Sequence, residues 1–189
     1  MLSVALLAAG VLFVSGFLTY AVSVYNNLVR LSRTIDQSFS NIDVILKQRR
    51  DEILKLVDTC KAYMTHERSL LEEITRLRAG YADARTTDQK VGIENRLNRA
   101  FRRLLITLEA YPDLKAIQSV MQVQSRITAL ESNIADRREL FNDAVTRHNI
   151  YTDQFPPILI ARILGYRERA LLEIPEHEKA DVVKPFTAA

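Results

Sequence analysis

The apolar and polar residues of this chain follow two different patterns, which change over near residue 25. From Leu2 to Val24 nearly every position is apolar or small, and the first charged side chain is that of Arg30. About 20 apolar residues in a helix, each rising roughly 1.5 Å, span the hydrocarbon core of a bilayer. Residues 1–25 are therefore predicted to form a transmembrane anchor. Tyr20 and Tyr25 lie at the end of this span, where aromatic rings favour the membrane interface.

A cleaved secretory signal is the alternative interpretation of this segment. Signal peptides combine a basic stretch, an apolar core of about 7–15 residues and a small-x-small cleavage site. No Lys or Arg precedes the apolar run, which is longer than such a core, but Ala21 and Ser23 form a small-x-small pair. A permanent anchor is the favoured interpretation, and cleavage after this pair stays open.

Beyond the anchor, apolar residues recur every three or four positions, which is the spacing of an amphipathic helix. Neither Gly nor Pro occurs between Phe17 and Ala79, so the anchor is predicted to continue unbroken into a long helix. The apolar stripe of this helix has a gap around Arg49 and comprises Leu28, Leu31, Ile35, Phe39, Ile42, Leu46, Ile53, Leu56, Cys60 and Tyr63.

Capping residues and prolines divide the rest of the chain. A polar cluster at Thr86–Asp88 predicts a helix start, and Pro112 ends the segment that follows. A third helix is predicted from Leu114 through Val145, up to the break at Phe155-Pro156-Pro157, and a shorter one from Ile158 to about Leu172.

Long helices joined by short turns pack as antiparallel bundles. We therefore expect an all-α fold, in which an N-terminal transmembrane helix is followed by an antiparallel up-and-down four-helix bundle with a long first helix. The bundle domain is predicted to cover residues 26–172, and residues 173–189 are expected to form a flexible tail.

Composition narrows the functional classes. The net charge is only +3 and the charged residues are mixed in sign, which is not typical of a nucleic-acid-binding protein. The single Cys60 excludes an intrachain disulfide. The three histidines form no Glu-x-x-His motif, and phosphate-binding Gly-rich loops and G-x-S-x-G are absent from the sequence. We therefore expect no catalytic residue, cofactor, metal site or small-molecule substrate, and no enzymatic activity.

The flanks of the apolar run predict its orientation. Positive residues follow it and none precedes it, so the positive-inside rule places the soluble domain in the cytoplasm and the N-terminus outside. The positive residues are Arg30, Arg33, Lys47, Arg49 and Arg50.

Several short blocks resemble the LemA family, and they are spread over residues 25 to about 166. The most specific is Glu109-Ala110-Tyr111-Pro112-Asp113-Leu114-Lys115-Ala116. The others are Tyr25-Asn26-x-Leu28-Val29, Ile42-Asp43-Val44-x-Leu46-Lys47-x-Arg49, Ile53-x-x-Leu56-Val57, Lys61-x-Tyr63-x-x-His66-Glu67, Glu131-x-x-Ile134-Ala135-x-Arg137, Asn142-x-x-Val145-x-x-x-Asn149 and Phe155-Pro156. The resemblance implies a membrane-anchored four-helix bundle in a family without an established enzymatic activity.

Four residues depart from the family pattern. Phe39 stands where the family usually has Trp, Leu54 where it has Pro, Ala62 where it has Gly, and Phe141 where it has Tyr. Pro and Gly each weaken a helix interior by about 1–3 kcal/mol, so the first helix is expected to be straighter here than in typical members.

Two surfaces are candidates for interaction. Ser15, Thr19 and Ser23 recur every four residues in the anchor and could form a helix-association face. The corner formed by Glu109, Tyr111, Pro112, Asp113 and Lys115 is a candidate partner-docking site, although a purely structural corner is the favoured interpretation. Asn142 and Asn149 are expected to bond neighbouring backbone and fix the register of the bundle.

Two groups of basic residues admit a functional and a structural interpretation. Arg96, Arg99 and Arg103 share one helix face, and Lys47, Arg49 and Arg50 form the second group. Attraction to anionic lipid is worth about 1 kcal/mol per charge near the surface, but a solvated helix face is the favoured interpretation.

The sequence predicts a non-enzymatic, single-pass membrane scaffold or adaptor, with the lipid bilayer and protein partners or its own copies as its contacts. The alternative is a lipid-engaging structural protein that tethers or shapes the membrane through its basic helix faces.

Overall fold

The computed structural model describes residues 1–173, apart from the side chains of Val4 and Ala5. Within residues 1–173 the chain forms six helices and no strand, which confirms the all-helical class. The helices are α1 (Leu2–Lys61), α2 (Arg68–Asp83), α3 (Thr87–Leu108), α4 (Pro112–Lys115), α5 (Gln118–Asp153) and α6 (Pro157–Ile163). Apart from Glu173, the tail predicted over residues 173–189 lies outside the described residues.

The first helix has an exposed apolar part and a packed part. From Leu6 to Val22 its large apolar side chains are exposed, whereas Val24 and Leu28 are buried. The exposed apolar segment and the packed segment are one continuous helix, as predicted. α1 is also long and apolar enough to cross a membrane, so it fits a membrane anchor.

The first helix ends sooner than the absence of Gly and Pro indicated. It stops at Lys61, and residues 62–67 form a turn before α2 begins. The carbonyl oxygen of Cys60 accepts hydrogen bonds from the amides of Tyr63 and Met64, and Met64 is buried in the turn. Tertiary burial explains this break, because the turn lets α2 bring its apolar face, centred on Ile74, against α3.

The start of α3 follows the predicted capping signal. The hydroxyl of Thr86 accepts a hydrogen bond from the amide of Gln89 at 3.2 Å, and the Gln89 side chain accepts from the amide of Thr86 at 3.2 Å. This reciprocal pair satisfies two amides that the first turn of a helix leaves free.

Two other helix predictions need correction. The helix expected from Leu114 is divided into α4 and α5 by Ala116 and Ile117. The last helix ends at Ile163 instead of Leu172, because Gly165 has a left-handed φ of 77° and the amide of Tyr166 bonds back to the carbonyl of Ala161 at 3.0 Å. This arrangement is a Schellman-type stop, which glycine favours because it has no Cβ.

The core lies mainly between α1 and α5 and between α2 and α3. One apolar cluster joins the distal halves of α1 and α5 to α2 and α3, a second surrounds Phe39, and a small third cluster holds Val24 and Leu28 against Ala161 of α6. The rings of Phe39 and Phe141 meet edge to face at 5.5 Å. Two of the four departures from the family pattern are therefore in direct contact.

After α6 the chain becomes extended and returns along the domain. Residues 166–173, here called the C-terminal strap, are not helical and contact α3 and α5 through asparagine side chains. Leu172 of the strap is buried in the same cluster as Phe39 and Phe141. This segment therefore belongs to the folded domain.

Candidate functional site

Three charged side chains lie in the interior between α1 and α3. Arg49 is 1% exposed, Arg50 6% and Glu94 0%. Burying charges is costly unless they are paired and hydrogen-bonded, so the surroundings of these groups decide whether the arrangement is stable.

Arg49 joins three helices. Its guanidinium donates to the carboxylate of Glu94 and to the side-chain oxygen of Asn98 on α3. It also donates to Glu131 on α5 at 2.6 Å. Arg138, also buried, lies 3.6 Å from the second oxygen of Glu131.

Arg50 continues the network towards α2. It donates to the second carboxylate oxygen of Glu94 at 2.9 Å and to Asp43 at 3.3 Å. Its guanidinium carbon lies 3.5 Å from the ring centre of Tyr81, whose hydroxyl donates to Asp43. Lys90 of α3 completes the set at 3.3 Å from Asp43. Residues Asp43, Arg49, Arg50, Tyr81, Lys90, Glu94, Asn98 and Glu131 are called the charged layer below.

The pKa values of Arg49 and Asp43 are each shifted in the direction that favours the charged form. Burial alone would lower the pKa of Arg49, but Glu94 and Glu131 outweigh it and raise that pKa above its ordinary value. Burial opposes the ionisation of Asp43, yet the Tyr81 hydrogen bond and the Lys90 charge lower its pKa overall. Burial and the bond to Asp43 raise the pKa of Tyr81, which stays protonated as a donor.

Every carboxylate of the charged layer pairs with a basic side chain. The carboxylates of Asp43, Glu94 and Glu131 accept hydrogen bonds from guanidinium, ammonium and phenol donors. Across residues 1–173, no three His, Cys, Asp or Glu side chains are grouped so that they could hold a metal ion. The layer fixes the relative register of α1, α3 and α5 through directional bonds.

The structure corrects the interpretation of the first basic group. Arg49 and Arg50 are neither a solvated face nor available to lipid, because both are buried in the charged layer. Arg49 occupies the stripe position between Leu46 and Ile53, so the gap in the apolar pattern marked an inward-facing charge. Glu94 was missed, although it lies in helical register between Val91 and Leu97 and could have been found by the same reasoning.

The second basic group lies on a solvated face. Arg96, Arg99 and Arg103 are exposed. Arg99 pairs with Glu173 of the strap, and Arg103 pairs with Glu73 of α2. Exposed pairs of this kind contribute about 0–1 kcal/mol each, as expected for a polar surface.

The predicted corner forms as a compact turn between α3 and α5. Pro112 is the first residue of α4, and Asp113 lies in its first turn. Lys115 donates to Glu109 at 2.7 Å, and Tyr111 packs against the apolar core. The structure thus brings the five corner residues together, with Glu109, Asp113 and Lys115 exposed to solvent.

The predicted association face lies on the exposed part of α1. Ser15, Thr19 and Ser23 are all exposed, and no helix of the described chain packs against them. The Thr19 hydroxyl donates to the Ser15 carbonyl at 2.9 Å within the helix. Thr19 is therefore satisfied locally and contributes to close helix approach mainly through its small size.

The amino-acid sequence is similar to a family model and to several known proteins. The LemA family model matches residues 38–185. Protein LemA of Metamycoplasma hominis is 26% identical over 158 residues, covering 83% of this chain and 72% of the relative. Magnetosome protein MamQ 2 of Paramagnetospirillum magneticum is 24% identical over 190 residues, covering 86% and 70%.

A third relative is similar over nearly the whole chain. Magnetosome protein MamQ of Magnetospirillum gryphiswaldense is 23% identical over 189 residues, covering 86% of this chain and 69% of the relative. None of these names assigns an enzymatic activity. Since the family model covers most of the chain, and the helical fold and the anchor-like first helix fit it, the chain belongs to the LemA family.

Proposed function

We propose that this protein is a single-pass, membrane-anchored helical scaffold or adaptor, without enzymatic activity, that presents its soluble domain to protein partners near the membrane. The observation that carries the proposal is the continuity of α1, which runs from exposed apolar residues directly into the packed domain at Val24. A domain joined to its span by one unbroken helix is held at a fixed distance from the bilayer, whereas a flexible linker would let it move freely.

The proposed domain is an antiparallel up-and-down four-helix bundle, formed by α1, α2, α3 and α5, in which α2 takes the place of the fourth helix that was predicted after Pro157. Three ion pairs between its helices support it. Arg50 with Glu94 joins α1 to α3, Arg103 with Glu73 joins α3 to α2, and Arg49 with Glu131 joins α1 to α5. The bundle would span residues 26–172, after the anchor at residues 1–25.

The proposed orientation places the domain in the cytoplasm and the N-terminus outside. Arg30 and Arg33 are exposed on the domain side of the span and near it, which are the positions that count most in the positive-inside rule. A reporter fused after Ala189 should be active only if it works in the cytoplasm. Activity of a reporter that works only outside the cytoplasm would overturn this orientation.

The proposed partner-docking surface is the corner at Glu109–Lys115, and the proposed self-association face is Ser15, Thr19 and Ser23. The corner presents a carboxylate, an ammonium and an aromatic edge at one end of the domain, which suits a polar protein surface. The anchor face lets helices approach closely within the bilayer.

The adaptor role is tested by purifying full-length protein from native membranes in mild detergent and identifying its companions by mass spectrometry. A truncated chain lacking residues 1–23 is the matched control, since Val24, near the end of the anchor, packs against Leu28 and Ala161 of the domain. A stoichiometric partner retained by both chains supports recognition by the soluble domain. A partner found only with the anchor places recognition in the membrane. Recovery of the protein alone argues against the adaptor role.

A second candidate function is direct engagement of lipid by the soluble domain. The observation that favours it is an exposed apolar face formed by Phe155, Leu159 and Ile163 at four-residue spacing. The opposite face of α6 packs on Val24 and Leu28, directly after the span, so this apolar face lies near the bilayer surface.

Liposome binding distinguishes this candidate. The chain lacking residues 1–23 should bind anionic liposomes, and replacing Leu159 and Ile163 with Ser should reduce that binding several-fold. Salt-sensitive binding that survives these replacements would assign the attraction to basic side chains. No binding in either case would exclude lipid engagement by the domain.

A further inference from the structure

Two asparagines of α5 bind the main chain of the C-terminal strap. The Asn149 side chain donates to the carbonyl of Arg169 at 3.0 Å and accepts from the amide of the same residue at 2.9 Å. The Asn142 side chain likewise donates to the carbonyl of Leu172 at 2.9 Å and accepts from its amide at 3.0 Å. Each carboxamide therefore satisfies both polar groups of one strap residue, as a neighbouring β-strand would.

A third asparagine binds the strap from α3. The side chain of Asn95 donates to the carbonyl of Leu171 at 2.9 Å and accepts from the amide of Glu173 at 2.9 Å. The strap thus lies in a groove between α3 and α5, with main-chain hydrogen bonds to both helices. The α3–α5 groove is defined here by Asn95, Asn142 and Asn149.

The spacing of the α5 asparagines matches an extended chain. Asn142 and Asn149 are two helical turns apart, or about 10.5 Å at the helical rise. Three residues of an extended polyproline-like chain, from Arg169 to Leu172, cover about 9.3 Å. Strap residues at this same spacing of three face the protein, since Tyr166 and Arg169 are half-buried and Leu172 is buried.

Three side chains add selectivity to this main-chain recognition. Leu172 enters the apolar cluster beside Phe141. Arg169 lies 3.0 Å from Asp88 and 3.5 Å from Asp36. Glu173 forms an ion pair with Arg99 of α3. The groove therefore fits an extended peptide with a cation, an aliphatic residue three positions later and an acid directly after it.

We propose that the α3–α5 groove is an exchangeable peptide site, and that its ligand in trans is the C-terminal strap of a second copy of this chain. Every strap carries the residues that fit every groove, so exchange between two copies keeps each contact of the strap. Exchange of an identical element is a low-cost route to dimers for this reason. The inference goes beyond the adaptor role, because it holds whether or not any other protein binds.

The connection to the strap permits this exchange. Gly165 provides the turn after α6, and the amide of Tyr166 is still bonded to the carbonyl of Ala161 before the first groove contact at Arg169. Exchange requires the Tyr166 contacts to open, after which residues 164–168, fully extended, reach up to about 17 Å. Anchors in one bilayer would also hold copies side by side and raise their local concentration.

Two complementary full-length chains with different tags test the exchange. The first, Leu172→Asp, keeps its groove but loses the apolar residue of its strap. The second, Asn142→Ala with Asn149→Ala, keeps its strap but loses two groove contacts. After co-expression and extraction in mild detergent, we expect the first chain to capture the second several-fold more than it captures a partner that also carries Leu172→Asp.

The pair in which both chains carry Leu172→Asp measures association through the anchors. Only the additional capture by the first chain of a partner with an intact strap therefore reports strap exchange. Ala170→Asp in the second chain is the matched control, because Ala170 is exposed and makes none of the groove contacts, so its replacement should leave capture unchanged. Equal capture in both pairs would overturn the proposal and leave the strap as an intramolecular element. Helical circular dichroism of each chain establishes that the variants are folded.

A synthetic peptide tests the groove without the chain that carries Asn142→Ala and Asn149→Ala. A fluorescent peptide of residues 165–173 should bind the full-length Leu172→Asp chain and compete with captured partner. The same peptide with Leu172→Asp should bind at least tenfold more weakly. Absence of peptide binding, or binding unaffected by this replacement, would equally overturn the proposal.

Discussion

Arg49 of α1 and Glu94 of α3 form an ion pair in which both side chains are almost completely inaccessible to water. Glu94 also accepts from Arg50, so two buried guanidinium groups share one carboxylate. Removing Glu94 would leave two charges without their shared partner in the interior, which is the most costly kind of polar defect.

Glu94→Ala is therefore expected to lower the free energy of unfolding by about 3–5 kcal/mol. Chemical denaturation of the full-length protein in detergent, followed by circular dichroism, measures this change. Glu109→Ala is the control, because its pair with Lys115 is exposed and should be worth less than about 1 kcal/mol. Similar losses from both variants would contradict the structural role of the charged layer.

Tyr81→Phe is expected to raise the pKa of Asp43, because the phenol hydrogen bond helps to hold that pKa below its ordinary value of 3.8. A lowered pKa in the fold stabilises the protein above the unfolded value, and this stability is lost as pH falls through the folded value. The variant should lose about 1 kcal/mol at neutral pH, since Asp43 is partly exposed, and much less under strongly acidic conditions. Carboxyl NMR titration checks the pKa directly, and an unchanged value would reject the Tyr81 contribution.

The main-chain amides of the strap should be less protected from hydrogen exchange at acidic pH because of His148. Burial lowers the pKa of His148 below 6.5, with Arg169 adding to the shift and Asn149 and Asp88 opposing it. The neutral ring is favoured in the fold, so stability is full above pH 6.5 and falls as pH drops towards the folded pKa.

Hydrogen-exchange protection of the Arg169 and Leu172 amides should therefore decrease between pH 7 and pH 5, because His148 packs beside Tyr166 at the start of the strap. His148→Gln does not titrate in this range and should remove the decrease. The same pH dependence in this variant would show that other groups are responsible.

Cys60 should resist thiol reagents until the protein unfolds. It is fully buried in the apolar core, and burial raises the pKa of its thiol to about 11. Since the thiolate is the reactive form, labelling of the native protein at pH 8 should be slower than that of unfolded protein by orders of magnitude. Cys60 is the only cysteine of the chain, so mass spectrometry after a timed exposure to iodoacetamide reads this site alone. Rapid labelling of native protein would place Cys60 in an accessible or frequently opened region.

Ser15→Leu with Thr19→Leu should weaken association of the anchors, because the larger side chains keep two helices from approaching closely. The oligomeric state of the detergent-solubilised protein, measured by sedimentation equilibrium, should shift towards the monomer. Phe17→Leu changes a position on the opposite side of α1 and should have no such effect. An unchanged state in the double variant would count against this face.

The sequence by itself determined the helical class, the apolar span and its continuity with the first soluble helix. These features follow from local composition and from a repeat of three or four residues. The capping signal at Thr86 and the helix break at Pro112 were equally readable, because caps and prolines act on neighbouring backbone groups. The residues that carry the family resemblance were also visible without a structure.

Only the tertiary structure decided where α1 stops and what the last segment does. Residues 62–67 contain neither Gly nor Pro, and the turn there exists because α2 buries its apolar face against α3. The chain after Ile163 has helical periodicity but is extended, and three asparagine side chains from α3 and α5 hydrogen-bond its main chain. Arg49 and Arg50 were readable as charges but not as buried ones, since their carboxylate partner lies more than 40 residues away along the chain. Such pairings depend on which helices become neighbours, and local sequence patterns do not specify that.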